Sequence, residues 1–104
     1  MEGRDATIEV DGLLFVWSRR KATENRRKHG VSFEEAATVF VDPLSQVRDD
    51  QSAAHDERRM QIMGYSLFGR QLLVVHVEVH DETSIRIISA RPLDAKERRR
   101  LEAE

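Results

Sequence analysis

Cysteine is absent from the 104 residues. That excludes a disulfide framework, a thiolate nucleophile and cysteine-ligated zinc. The fold must hold without covalent staples, which suits a reducing cytoplasm, the expected location. No run approaches the ~20 apolar residues that a bilayer span requires, so no membrane association is expected. The opening MEGRDATIEVDG is acidic and mixed. It lacks the basic start and apolar stretch of a secretory signal, and residues 1–12 read as a flexible leader. Low-complexity linkers and internal repeats are also missing. The length therefore suits one domain, over about residues 13–100.

Charge of one sign is lacking as well, with 17 basic and 19 acidic residues and a net charge of −2. Taken globally this argues against a nucleic-acid binder. The distribution is uneven, however. Residues 19–29 hold six bases (Arg19, Arg20, Lys21, Arg26, Arg27, Lys28) against Glu24 alone. Residues 86–100 hold six more (Arg86, Arg91, Lys96, Arg98, Arg99, Arg100) against Asp94 and Glu97. Such segments give a near-neutral protein a strong local field.

Periodicity supplies the elements. Leu13 to Trp17 is an apolar run of strand length. Ser18 is placed to N-cap a helix over 19–29, which Gly30 can close in the left-handed conformation. That helix has almost no apolar stripe beyond Ala22, so it is either exposed or held by a polar partner. Ser32 and Glu35 have capping-box spacing ahead of a second helix. Phe33, Ala36, Ala37 and Phe40 give it a buried face, and Asp42-Pro43 ends it. Strands are expected at 44–48, 58–66, 72–79 and 84–90, with turns at 68–70 and 81–83 and a polar loop at 49–57. Pro92 then leads into a basic C-terminal helix. The reading is an α+β domain: an antiparallel sheet of four to five strands, two N-terminal helices and one C-terminal helix.

The stretch Trp17 to Ala36, with Lys21, Asn25 and then Lys28-His29-Gly30-Val31-Ser32-Phe33-Glu34-Glu35-Ala36, resembles the N-terminal signature of the BrnT toxin family. Two further blocks match in the same order. One is Glu57-Arg58-Arg59 leading to Ile62-Met63-Gly64-Tyr65-Ser66 and Gly69-Arg70-Gln71-Leu72. The other is Ile85 to Arg91 followed by Glu97-Arg98-Arg99. The resemblance implies a RelE-like fold and a ribonuclease that inhibits translation. It also implies neutralisation by a BrnA-like ribbon-helix-helix antitoxin in a hetero-tetramer, with operator DNA bound only through that complex. Many relatives carry a tyrosine near the C-terminus, where this chain has Leu101; either that role is unfilled or Tyr65 takes it.

RNA breaks when its 2′-hydroxyl attacks the adjacent phosphate. A protein assists by moving protons and by stabilising charge on the phosphoryl oxygens. Arginine suits the second task, because its fork stays charged and binds bidentately. No metal or other cofactor is required. Arg86 and Arg91 are the first candidates; the ordinary alternative is a surface arginine, or an ion pair of Arg86 with Glu78. Arg58 is weighed in the same way. Lys28 and His29 can serve as phosphate binder and acid–base group, or merely complement the helix C-terminus. Tyr65 can stack on a base, donate a proton, or pack at the sheet rim. Arg26, Arg27 and Arg98 are candidate RNA contacts. His76, Glu78 and His80 share a strand face and could ligate a metal, but a solvated face is the plainer reading; His55-Asp56-Glu57 reads as an ordinary loop. The competing function is a non-catalytic nucleic-acid- or partner-binding module, such as a degenerate toxin kept as corepressor.

Overall fold

Asp5–Val10 forms a strand, β1, where the sequence suggested a flexible leader. Ala6, Ile8 and Val10 alternate inward and pack against the core, so these residues carry the period of a half-buried strand. Asp11 and Gly12 follow with φ of 52° and 85°. Two consecutive positive φ values make the tight turn whose twist matches a hairpin. The chain reverses there into β2, Leu13–Ser18, in register from Val10↔Leu13 to Asp5↔Ser18.

This computed structural model describes residues 4–50, 58–79 and 84–103. After β2 come α1 (Arg19–His29), α2 (Phe33–Thr38), a single 3₁₀ turn (Val39–Val41) and β3 (Gln46–Asp49). Then follow β4 (Arg59–Tyr65), β5 (Gln71–Glu78), β6 (Ser84–Pro92) and α3 (Ala95–Glu102). The polar segment 51–57, the turn at 81–83 and His80 lie outside the described residues. No described helix is long and apolar enough to cross a membrane.

The sheet has six strands in the order β1-β2-β6-β5-β4-β3. It is mixed, not purely antiparallel: β2 and β6 run parallel from Leu14↔Ser84 to Val16↔Arg86. A parallel neighbour needs a long crossover, and here everything from α1 to β5 lies between the two strands. Period-two reasoning finds strands but does not see that β6 returns beside β2.

The helix face of the sheet carries the main core, with Phe15, Trp17, Leu72, Val74 and Ile87 packed against Phe33, Ala36 and Ala37. Trp17 meets Phe33 edge to face at 5.8 Å. A smaller cluster of Met63, Leu73, Leu93 and Leu101 fills one end of the opposite face beneath α3. The two basic helices therefore lie on opposite sides of the sheet. β5 is apolar on both faces, and His76, expected on a solvated face, is buried with its ring edge-on to Phe40 at 4.8 Å. Burial holds its pKa below the usual histidine value.

The caps are local and mostly as expected. Ser18 Oγ accepts from the Lys21 amide at 3.2 Å, and Gly30 takes φ 71°. Ser32 Oγ accepts from the Glu35 amide at 3.0 Å. The reciprocal half of that box is absent, because the Glu35 carboxylate turns to Arg70 and Ser66 instead. The full capping box belongs to α3, between Asp94 and Glu97. Pro92 ends β6 and does not enter the first turn of α3.

Candidate functional site

A bulge in β6 decides which arginines share a face. Val75 pairs with Ser89 and His76 with Ile87, so Ile88 has no partner on β5. The extra residue shifts the alternation by one. Without it Arg86 and Arg91, five positions apart, would point to opposite faces. With it Ile87 and Ala90 both turn into the main core, while Arg86 stands opposite Val77 and Arg91 opposite Leu73. Both arginines thus look away from α1 and α2.

That second face has a regular composition. Arg59 on β4 is also opposite Val77, which gives a row Arg59–Val77–Arg86 across three strands. At the usual strand spacing the two arginine Cα atoms are roughly 10 Å apart, within joint reach of one phosphate. Half-buried Val75 and Val77 form the floor. Gln61 and Arg48 continue the face onto the far strands, with Arg48 Nε donating to Gln61 Oε1 at 2.8 Å. Arg91 lies roughly 13 Å along the sheet from the Arg86 row.

The arginines are held by carboxylates. Arg91 grips Glu97 through both fork nitrogens, at 2.9 Å each. Glu97 Oε1 also accepts from the Asp94 amide at 2.9 Å, so one carboxylate caps α3 and aims Arg91. The hydrogen bonds from Arg91 hold the Glu97 carboxyl below the ordinary carboxylate range, and the Arg48 charge adds to the effect. Arg86 pairs at 2.8 Å with Asp5, not with Glu78. Both side chains are partly exposed, and such a pair is weak enough for an incoming phosphate to replace.

Tyr65 ends β4 at the rim of this face. Its hydroxyl accepts from Gln71 Nε2 at 3.0 Å. It lines a cavity of about 300 Å³ with Asp42, Leu44, Leu101 and Glu102. Leu101, in the C-terminal region where a tyrosine is expected from the resemblance, thus faces the same space as Tyr65.

The other candidates lie elsewhere. Lys28 and His29 line a cleft of about 260 Å³ between α1 and the bulge, with Lys21, Glu24, Asn25 and Ser89. This cleft is on the helix side of the sheet, away from Arg86 and Arg91. Arg26 and Arg27 are exposed on α1. Arg58 precedes β4 and lines a third hollow with Met60 and Glu78; Met60 pairs with buried His76, which places this hollow on the helix side too. Arg98 on α3 donates to the Leu93 carbonyl at 3.1 Å. No cluster of three or more His, Asp or Glu able to hold a metal occurs among the described residues.

Sequence reasoning chose Arg58 and missed Arg59, although strand alternation against Met60 and Ile62 would have separated them. It also left Asn25 without a role. Asn25 Nδ2 donates to the carbonyls of Val31 (3.0 Å) and Ala90 (2.9 Å), and its Oδ1 accepts from the Ala90 amide (3.0 Å). One buried amide does the work of a ladder partner on the edge of β6 that β2 has left. Glu35, also buried, takes two bonds from Arg70 and one from Ser66, and Arg70 reaches on to the Gly30 carbonyl. That network ties α2 to the β4–β5 turn and holds the Glu35 carboxyl below its ordinary range, chiefly through Arg70.

Comparison with known proteins places this architecture. Among solved structures the chain is similar to the ribonuclease toxin BrnT of Brucella abortus, known from a crystal structure at 1.1 Å resolution. The TM-score is 0.55 at 19% identity, covering 75% of this chain and 92% of that one, a likeness of fold. No curated protein matches the chain. A family model described as "Ribonuclease toxin, BrnT, of type II toxin-antitoxin system" matches residues 17–97, which takes in α1 to the start of α3. The chain belongs to the BrnT family of ribonuclease toxins of type II toxin–antitoxin systems.

Proposed function

We propose that this chain is a metal-independent endoribonuclease that inhibits translation, and that the sheet face turned away from α1 and α2 is its reacting surface. The observation that carries this reading is the row Arg59–Val77–Arg86, with Arg91 brought to the same face by the bulge at Ile88. The 2′-oxygen of RNA bonds to phosphorus, the bond to the 5′-oxygen breaks, and a proton moves from the first oxygen to the second. A 2′,3′-cyclic phosphate and a 5′-hydroxyl result. The phosphoryl oxygens gain charge along the way, and preorganised guanidinium forks stabilise that charge more than they stabilise the ground state. Arg86 and Arg91 hold the reacting phosphate, and Tyr65 at the rim stacks on a base or supplies the proton to the leaving oxygen. Arg26, Arg27 and Arg98, together with Lys28, His29 and Arg58, contact RNA away from the reacting bond. The protein works in the cytoplasm as one toxin domain. A ribbon-helix-helix antitoxin of the BrnA kind neutralises it in a hetero-tetramer, and only that complex binds operator DNA.

A second reading is a non-catalytic module, a degenerate toxin kept as corepressor. It is favoured by the ion pairs that already occupy Arg86 and Arg91. One assay separates the two. Antitoxin-free protein is incubated with a defined RNA, with and without a chelator, beside Arg91→Ala. Cleavage that survives the chelator and disappears in the variant supports the enzyme. Cleavage lost with the chelator refutes metal independence. No cleavage of either naked RNA or ribosome-bound message supports the binding module.

A further inference from the structure

Among the described residues, four of the six large apolar side chains left exposed gather at one end of the sheet. Leu44 and Phe68 are each 76% exposed, Leu67 is 71% exposed and Tyr65 is 42% exposed. Their backbone is firmly set. Asp42 accepts from the Leu44 and Tyr65 amides at 3.0 and 2.8 Å, and Thr38 Oγ1 accepts from the Leu67 amide at 3.0 Å. Leu67 and Phe68 sit in the tight turn closed by Gly69 at φ 83°. Beside them opens the cavity of about 300 Å³ that Leu44, Tyr65 and Leu101 line. A rigid apolar patch next to a cavity is the usual mark of a protein-binding surface.

We propose that this patch is where the antitoxin docks, through an acidic amphipathic segment that places an apolar side chain in the cavity between Leu44, Tyr65 and Leu101. Charge complementarity selects that occupant. The acids at the rim are already engaged: Asp42 by two backbone amides, Glu102 by Gln71 at 2.9 Å, and Glu35 by Arg70. On α3, whose Leu101 and Glu102 close one wall, the side chains of Lys96, Arg99 and Arg100 are exposed on the outer side of the helix and make no hydrogen bond or ion pair among the described residues. An acidic flank that continues over the outer side of α3 would meet these three cations, while the apolar face of the segment covers Phe68 and Leu67. Docking there also covers Tyr65, at the rim of the proposed RNA face, so the same contact inhibits. The inference rests on family membership, which supplies the antitoxin, and not on which face cleaves RNA.

The test uses the antitoxin encoded beside the toxin gene. Its affinity is measured by calorimetry for the wild-type chain and for the triple variant Leu44→Ser, Leu67→Ser, Phe68→Ser. These side chains are exposed, and far-UV circular dichroism with thermal melting checks that the fold is kept. The expected result is a loss of affinity of a hundredfold or more with RNA cleavage unchanged. A further charge variant, Arg99→Glu with Arg100→Glu, is expected to slow association and weaken its salt dependence. Unchanged antitoxin affinity in the triple variant overturns the proposal. So does a variant that keeps the antitoxin but loses cleavage, which would make the patch a substrate site, or one whose only change is loss of self-association. If the wild-type chain cuts no RNA yet its antitoxin affinity depends on the patch, the ribonuclease reading fails and this one stands.

Discussion

Asn25 offers the sharpest test of how sequence, fold and site connect here. It is buried, 7% exposed, on a helix with no other buried residue, and its amide makes three hydrogen bonds that reach both the α1–α2 loop and β6. Each such bond nets about 1 kcal/mol, so Asn25→Ala should cost about 3 kcal/mol, the more so because it leaves buried Ala90 and Val31 groups without partners. For a domain of this size that corresponds to a fall in Tm of about 12 °C or more. Asn25→Asp separates hydrogen bonding from shape. Its first oxygen can still accept from Ala90, but its second faces the carbonyl oxygens of Ala90 and Val31. The folded state therefore favours the protonated acid, and the folded pKa rises above the unfolded value of about 3.9. A raised folded pKa gives stability that is present below the unfolded value and lost as pH rises through the folded one. The Asp variant should approach wild type in acid and fall to the Ala variant near neutrality. Urea unfolding across pH, with m-values compared, is the assay. A loss below about 1 kcal/mol for Ala, or an Asp variant that tracks wild type at every pH, would refute the idea that this amide stands in for a strand.

Other expectations follow from named contacts. Glu35→Gln should destabilise by about 2 kcal/mol, less than for a fully buried pair because Arg70 is 44% exposed and can turn to water. Because the Glu35 pKa is depressed by folding, its contribution is present above the ordinary carboxylate range and lost as pH falls through the folded value, so the Gln variant should show a flatter acid limb in thermal melts. Gly64→Ala should cost about 1–3 kcal/mol in chemical denaturation, since the added Cβ would lie 2.9 Å from Asp42 Oδ2 and 3.0 Å from Ser45 Cβ. Arg91→Lys keeps the charge but not the fork, so cleavage should fall about a hundredfold in kcat, nearly as far as in the Ala variant.

Much of this could be read from the sequence, and the failures have physical causes. Helix limits were legible because caps are local: Ser18, Gly30 and Ser32 act within four residues of where they stand. β1 was missed although Asp11-Gly12 between alternating apolar residues is a strong hairpin signal; the acidic composition of the leader outweighed it. Glu35 was legible as a cap but not as an ion-pair partner, because Arg70 is 35 residues away. The arginines were legible as a class. Which of them share a face was not, because that depends on one unpaired residue, Ile88, whose bulge leaves no mark in composition or periodicity.

The asymmetry of the sheet argues for a use. An antiparallel sheet with one solvated face normally turns polar residues outward on every strand. Here β4 and β6 do so with Arg59, Gln61, Arg86 and Arg91, but β5 between them presents Val75 and Val77, and α3 covers only the Leu73–Met63 end. Closing the face would have needed a longer third helix; leaving it open keeps two valines half in water. The result is an apolar stripe one strand wide with guanidinium groups on both sides. A single-stranded polyanion can lay its bases along such a stripe while its one phosphate backbone follows the guanidinium groups on one side. A protein partner could cover the valines, but it would have to supply an acid for each arginine that Asp5 and Glu97 now hold. RNA brings a charge with every nucleotide, and a phosphate can take the place of the partly exposed Asp5 carboxylate on Arg86.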